Sequence, residues 1–175
     1  MDDQQQHYST RLGRSMVYIG WIAGLVLLAW MFNVQLTRQH NPNQSVATLR
    51  TAEGMREVLL TRNRQGHYVA SGLINGVPVT FLLDTGATDV AVSQRVARQA
   101  GLKQGPAVAT QTANGIVTAY LTRIDRISIG DIELADVRAS INPSMGIDEV
   151  LLGMAFLKRL ELIQKGDTLT LRQGP

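Results

Sequence analysis

Cysteine is absent from this 175-residue chain. The absence excludes disulfides, thiolate metal sites and a cysteine nucleophile, and fits either a reducing or an oxidising compartment. Basic runs are absent too. The 17 Lys and Arg are dispersed among 14 acids for a net charge of +3, and the pI near 9.6 hides no cluster that would track a nucleic-acid backbone. There is no Gly-rich phosphate loop with its lysine and no Gly-x-Ser-x-Gly elbow. The three histidines, His7, His40 and His67, are too scattered for a metal-ligand cluster, and His67 is expected on the surface or at a strand edge. No internal repeat or low-complexity tract occurs. What is present, 45% hydrophobic residues, suffices for one compact domain plus something smaller.

The smaller part announces itself in MVYIGWIAGLVLLAWMF, Met16 to Phe32. This stretch carries no charge and as a helix would span roughly 25 Å, close to the hydrocarbon thickness of a bilayer. Tyr18 and Trp21 near one end, and Trp30 and Phe32 near the other, sit where membrane interfaces favour aromatic rings. A cleaved signal peptide or a buried core helix is the rival reading, but FNVQLTRQH follows with no small-x-small cleavage site. Arg11 and Arg14 precede the run closely, against Arg38 alone just after it, which places the N-terminus in the cytoplasm. The expected organisation is a cytoplasmic tail over 1–15, a transmembrane anchor over 16–34, a polar tether over 35–57 and a folded domain over 58–175.

Beyond the tether, short apolar runs alternate with turn signals, the mark of an all-β domain. Strands are expected over 58–62, 68–74, 77–83, 107–112, 116–129, 132–141, 149–152, 160–164 and 168–171. Asn75-Gly76 between two of them is a strong hairpin signal, because both residue types tolerate positive φ. One helix stands out in SQRVARQAG, with Ser93 as N-cap and Gly101 as its stop.

Into this β pattern falls FLLDTGATD, Phe81 to Asp89, the sole Asp-Thr-Gly in the chain. An apolar strand runs straight into an acid and then a glycine-containing turn. An acid at the end of a buried strand is costly unless something holds it. Taken alone, the triplet also reads as an ordinary Asx turn.

With its neighbours it reads otherwise. FLLDTGAT, a hairpin tip TANG at Thr112 to Gly115 and LLG at Leu151 to Gly153 together resemble the retropepsin-like aspartic proteases, the single-lobed relatives of pepsin, in spacing and order across 66–171. GHYVASGLINGVPVTFLLDTGATDVAVS resembles their membrane-anchored bacterial branch. The resemblance implies a single-lobed closed β-barrel with one or two short helices, preceded by a single transmembrane helix. It implies a homodimer with no metal and no cofactor, acting on a peptide or protein substrate. The setting it implies is a bacterial inner membrane crossed once, with the catalytic domain on the periplasmic side.

The resemblance also assigns roles. Asp84 from each of two chains would form a carboxylate pair sharing one proton, the ionised member activating water and the other donating to the peptide carbonyl. Thr85 would join the two loops through its hydroxyl, and Gly86 would let its N–H approach the carboxylate. Ala87 and Thr88 would line the substrate cleft, and Ala113, Asn114 and Gly115 would form a flap over it. Tyr120 could pack beneath that flap, although a cross-strand core role suits it better. Asp167-Thr168 continues into Leu169 in a turn and offers no second site.

Two departures stand out. Viral members carry an acid at the position of Thr88 and an arginine at that of Met154, so here the support of that ion pair is expected to come from packing. The terminal strands that cement viral dimers have no clear counterpart except TLTLRQ near the end. Two readings therefore remain: a membrane-tethered aspartic endopeptidase, or a module of the same fold that binds peptides or assembles a complex without cutting. The intact DTGAT favours the first, because a binding module has no chemical need for the acid.

Overall fold

The computed structural model describes residues 3–51, 54–112 and 115–174, with side chains from Met16 onward. It divides into two compact units, one ending at Gln39 and one beginning at His40. The first is the helix α1 (Asp3–His40). Within its stretch Met16–His40 an 18-residue window reaches a mean hydropathy of 1.9, and the helix is long and apolar enough to cross a membrane. Trp21, Leu25, Leu28, Trp30 and Phe32 are all exposed, an all-round apolar surface unlike that of a helix with one face against a soluble core.

The second unit is mostly β. Its strands are β1 (Thr48–Arg50), β2 (Arg56–Thr61), β3 (Val69–Ile74), β4 (Val77–Leu83), β5 (Val90–Ser93), β6 (Ala107–Thr112), β7 (Gly115–Ile129), β8 (Ile132–Asn142), β9 (Val150–Leu152), β10 (Glu161–Lys165) and β11 (Thr168–Gln173), with short helices α2 (Gln94–Gln99) and α3 (Met154–Leu157). One sheet runs β3-β4-β9-β5-β8-β7-β6 and curls until β3 meets β7. That closing seam is two registered pairs, Leu73 with Ser128 and Ile74 with Ile127, so the barrel is nearly rather than fully closed. The second sheet is β1-β2-β11-β10.

Local sequence accounts for the hairpins. Asn75 and Gly76 both take positive φ, 49° and 82°, as a two-residue turn matching strand twist requires. Ser93 caps α2, its hydroxyl accepting from Val96 N. Inward residues of both sheets make one core. Phe81, Ile124, Ile127, Ile141, Leu152 and Phe156 pack with Val58, Leu60 and Leu171 of the smaller sheet. Each such side chain contributes about 2 kcal/mol by leaving water.

Two stretches differ from expectation. Polar residues expected as tether belong to the folded unit: β1 pairs with β2, and Asn41 and Asn43 are buried. The Asn43 side chain donates to Thr61 O (2.9 Å) and Val69 O (2.7 Å) and accepts from Thr61 N (2.7 Å). Its polar groups are thus paired in the interior, which composition alone does not reveal. TLTLRQ is the other. As β11 it lies between β2 and β10, so both of its edges are filled within the chain.

Candidate active site

Two apolar strands end side by side at the centre of the barrel. β4 and β9 run parallel, with Phe81 beside Val150 and Leu83 beside Leu152, and the ladder continues one step as Asp84 N donates to Leu152 O at 3.2 Å. Asp84, half-buried, is where the apolar strand meets solvent. Its Oδ1 accepts from Gly86 N at 2.8 Å, and Ala87 N closes the turn onto Asp84 O at 3.2 Å. A Cβ at position 86 would stand 3.1 Å from that Oδ1, so glycine is what brings the N–H up to the carboxylate.

Beyond β9 the chain supports this turn. A Cβ on Gly153 would fall 2.2 Å from Asp89 O and 2.6 Å from Ala87 O, so the two loops cross at a distance that only glycine permits. The start of α3 then puts its unpaired N–H groups to use: Met154 N donates to Ala87 O at 2.8 Å and Ala155 N to Thr88 O at 2.9 Å. Donors that a helix leaves open at its first turn thereby hold the acid-bearing loop.

A further support comes from β8. Val90 of β5 lies beside Ala139 in parallel register, which brings the preceding residues together, and Arg138 Nε donates to Asp89 Oδ1 at 2.5 Å. The expectation that packing alone replaces the viral ion pair is therefore corrected: an ion pair is present, one residue further along the loop, with its arginine on strand β8 rather than at the Met154 position that begins α3. No short-range signal points to it, because the partners are 49 positions apart and meet only through the β5–β8 register.

In front of the loop opens a cleft of about 600 Å³, lined by Asp84, Gly86, Ala87 and Thr88 on its floor, by Val108, Thr110 and Val117 of the β6–β7 hairpin, and by Ser144 to Ile147 on the far wall. Its volume is in the range of sites that take several side chains of a ligand. Thr85 is exposed beside this floor. Of the expected flap residues, Gly115 begins β7 opposite Thr112, whose hydroxyl donates to Gly115 O at 2.8 Å; Ala113 and Asn114 lie outside the described residues. Tyr120 is half-buried against the core, across from Ala107 and Ile141. Asp167 is an exposed turn residue paired with Arg62, and His67 is exposed. Asp89 also lines the cleft, but Arg138 occupies its carboxylate.

An acid turn at the end of one barrel strand, crossed by a glycine turn from its parallel neighbour, defines one lobe of an aspartic protease. The chain belongs to the gag-polyprotein putative aspartyl protease family, whose model matches residues 70–159, and its fold is retropepsin-like. A crystal structure of a retropepsin-like aspartic protease from Rickettsia conorii superposes with a TM-score of 0.57 at 25% identity, over 74% of this chain and 94% of the other. An uncharacterized Sinorhizobium protein is 35% identical over 125 residues, 69% of this chain and 54% of its own length. An uncharacterized protein of Rickettsia prowazekii is 29% identical over 108 residues, 60% and 46% of the two lengths. The chain thus spans about half the length of the curated relatives it matches.

Proposed function

We propose that this chain is a membrane-anchored aspartic endopeptidase, active as a homodimer, in which Asp84 from each of two chains activates a water for attack on a peptide bond. The observation that carries the reading is the Asp84 carboxylate, held by Gly86 N–H at 2.8 Å on the floor of a cleft of about 600 Å³. A fold that merely bound peptides would have no use for an acid set in that way.

The second carboxylate has to come from another copy. Among the described residues that line the cleft, Asp84 is the acid without an arginine partner, since Asp89 is held by Arg138. A twofold axis beside the exposed Thr85 brings like residues together, and two adjacent carboxylates then share one proton because both cannot ionise freely. The ionised member takes a proton from water while the protonated one donates to the substrate carbonyl oxygen. Gly115 and the hairpin tip close over the bound strand, with Ala87 and Thr88 offering it backbone groups. The all-round apolar surface of α1 supports its role as the anchor of an inner-membrane protein. The arginines ahead of the span favour a periplasmic catalytic domain.

The test is the full-length chain in lipid vesicles, with and without Asp84→Ala, given a diverse peptide mixture from acidic to neutral pH, with new termini read by mass spectrometry. Cuts made by the parent and lost in the variant are expected. Peptide retention by both without any cut would replace the reading with a binding module.

A further inference from the structure

The reach of the cleft is set by how the chain leaves the apolar helix. The helix α1 continues to His40, and no slack segment follows. Within the folded unit, His40 Nε2–H donates to Glu149 Oε1 at 2.6 Å, and His40 O accepts from Asn63 Nδ2 at 3.0 Å. Asn41 Nδ2 donates to Ser71 Oγ at 3.0 Å, while its Oδ1 accepts from Asn43 N at 2.9 Å. Asn43 bridges to Ala70 of β3 in parallel register, and Asn41 and Asn43 are 5% and 6% exposed. The four residues His40 to Asn43 are therefore built into the barrel. A flexible tether would leave these asparagines in water.

This architecture bounds a distance. From Phe32, the end of the uncharged run, the chain rises about 12 Å as helix to His40 and at most about 10 Å more to Asn43. Asn43 is beside Ala70, Ala70 is beside Phe81, and Asp84 is three residues along β4 from Phe81. Two strand spacings plus three strand residues amount to about 20 Å along that path. The carboxylate is thus confined within roughly 40 Å of Phe32, whatever angle the chain takes at the boundary. A flexible linker of some sixty residues would add an r.m.s. reach of about 40 Å, and the chain has nothing of the kind between Phe32 and Asn43.

We infer that the substrates are membrane-proximal, extended segments of proteins anchored in the same bilayer, cut close to the point where they emerge. The inference rests on the proteolytic, membrane-anchored reading above and adds to it a class of substrate. Confinement to one surface raises the local concentration of such segments, and the short, docked junction withholds the active site from bonds held far from the membrane. His40 contributes directly, because its partner Glu149 lies between the cleft-lining Ile147 and β9. The segment that fixes the reach also braces one wall of the cleft.

The experiment uses full-length protein in vesicles together with a single-span reporter carrying one cleavable cassette, its sequence taken from the peptides cut in the free-peptide assay. In one reporter the cassette follows the span directly; in another a rigid folded spacer of about 60 Å separates them, beyond the bound obtained from chain dimensions. The native chain is expected to cut the near cassette at least tenfold faster than the far one. Inserting a sixty-residue Gly/Ser linker between Gln39 and His40 is expected to bring the two rates together. Equal rates for near and far cassettes with the native chain would overturn the inference while leaving proteolysis intact. A cassette uncut both as free peptide and as reporter would overturn the proteolytic reading, and this inference with it.

Discussion

β4 and β9 enter the centre of the barrel as near twins: parallel, apolar and in register from Phe81 and Val150 to Leu83 and Leu152. They leave it differently. One strand passes into Asp84, Thr85 and Gly86, half-buried or exposed at the cleft; the other passes into Gly153, buried, and then into α3. The turn with the acid keeps its carboxylate facing solvent and gives its carbonyls, Ala87 O and Thr88 O, to the turn without one. Chemistry and support are thus divided between two equivalent positions of one sheet. The division explains how a charged group can end an apolar strand at modest cost, since its backbone is bonded from behind and its side chain is bonded locally.

The comparison is broken most severely at the acid. Asp84→Ala is expected to lower peptide hydrolysis by about a thousandfold or more with little change in thermal midpoint, read by product formation and circular dichroism on the same samples. Next comes the supporting turn. Gly153→Ala places a methyl group against two backbone carbonyls at 2.2 and 2.6 Å, and overpacking of that kind costs about 3 kcal/mol. Urea denaturation should show that loss, with activity falling because the acid loop is displaced; unchanged stability would mean that the loops need not cross so closely.

A smaller effect is expected at Arg138→Ala, which releases Asp89 from the side. Its guanidinium is more than half exposed, so the stability change is about 1 kcal/mol or less. A displaced cleft floor should nonetheless lower kcat about tenfold while KM moves little, and Arg138→Lys should recover only part of it, since lysine lacks the guanidinium's fixed geometry. Its ladder neighbour supplies the control. Arg123, paired with Arg138 across β7 and β8, binds Asp136 through a side-chain bond that holds the Asp136 carboxyl below its ordinary range. A carboxyl lowered by folding stabilises the fold above its unfolded pKa, about 3.9, and that contribution disappears as pH falls through the lowered value. Asp136→Asn should therefore reduce the urea midpoint slightly at about pH 6, by an amount that shrinks as the pH is lowered below the unfolded value, with kcat unchanged.

Much of this was legible in the chain itself. The apolar approach to Asp84, the Asn75-Gly76 hairpin, the Ser93 cap and the strand sequence are local signals, carried by residues adjacent to the features they produce. The parts that were not legible are non-local. Asn41 and Asn43 read as tether because asparagine is a surface residue on average, and their burial depends on Thr61, Val69 and Ser71 being in place. Asp89 and Arg138 look like two unrelated charges until β5 and β8 align. TLTLRQ reads as a strand from its alternation, yet nothing in it says which neighbours will fill its edges.

Those filled edges have a kinetic consequence. A strand already hydrogen-bonded on both sides by β2 and β10 is not available to be lent to another protomer, so in the proposed dimer two chains meeting at Asp84 would pair without exchanging β11 and could separate without unfolding it. Proteolysis would then follow a rate law second order in surface density when the chains are sparse, becoming first order as pairs saturate. While the chains are sparse, doubling the number of molecules per unit of membrane would quadruple the output, so expression level would act as the throttle.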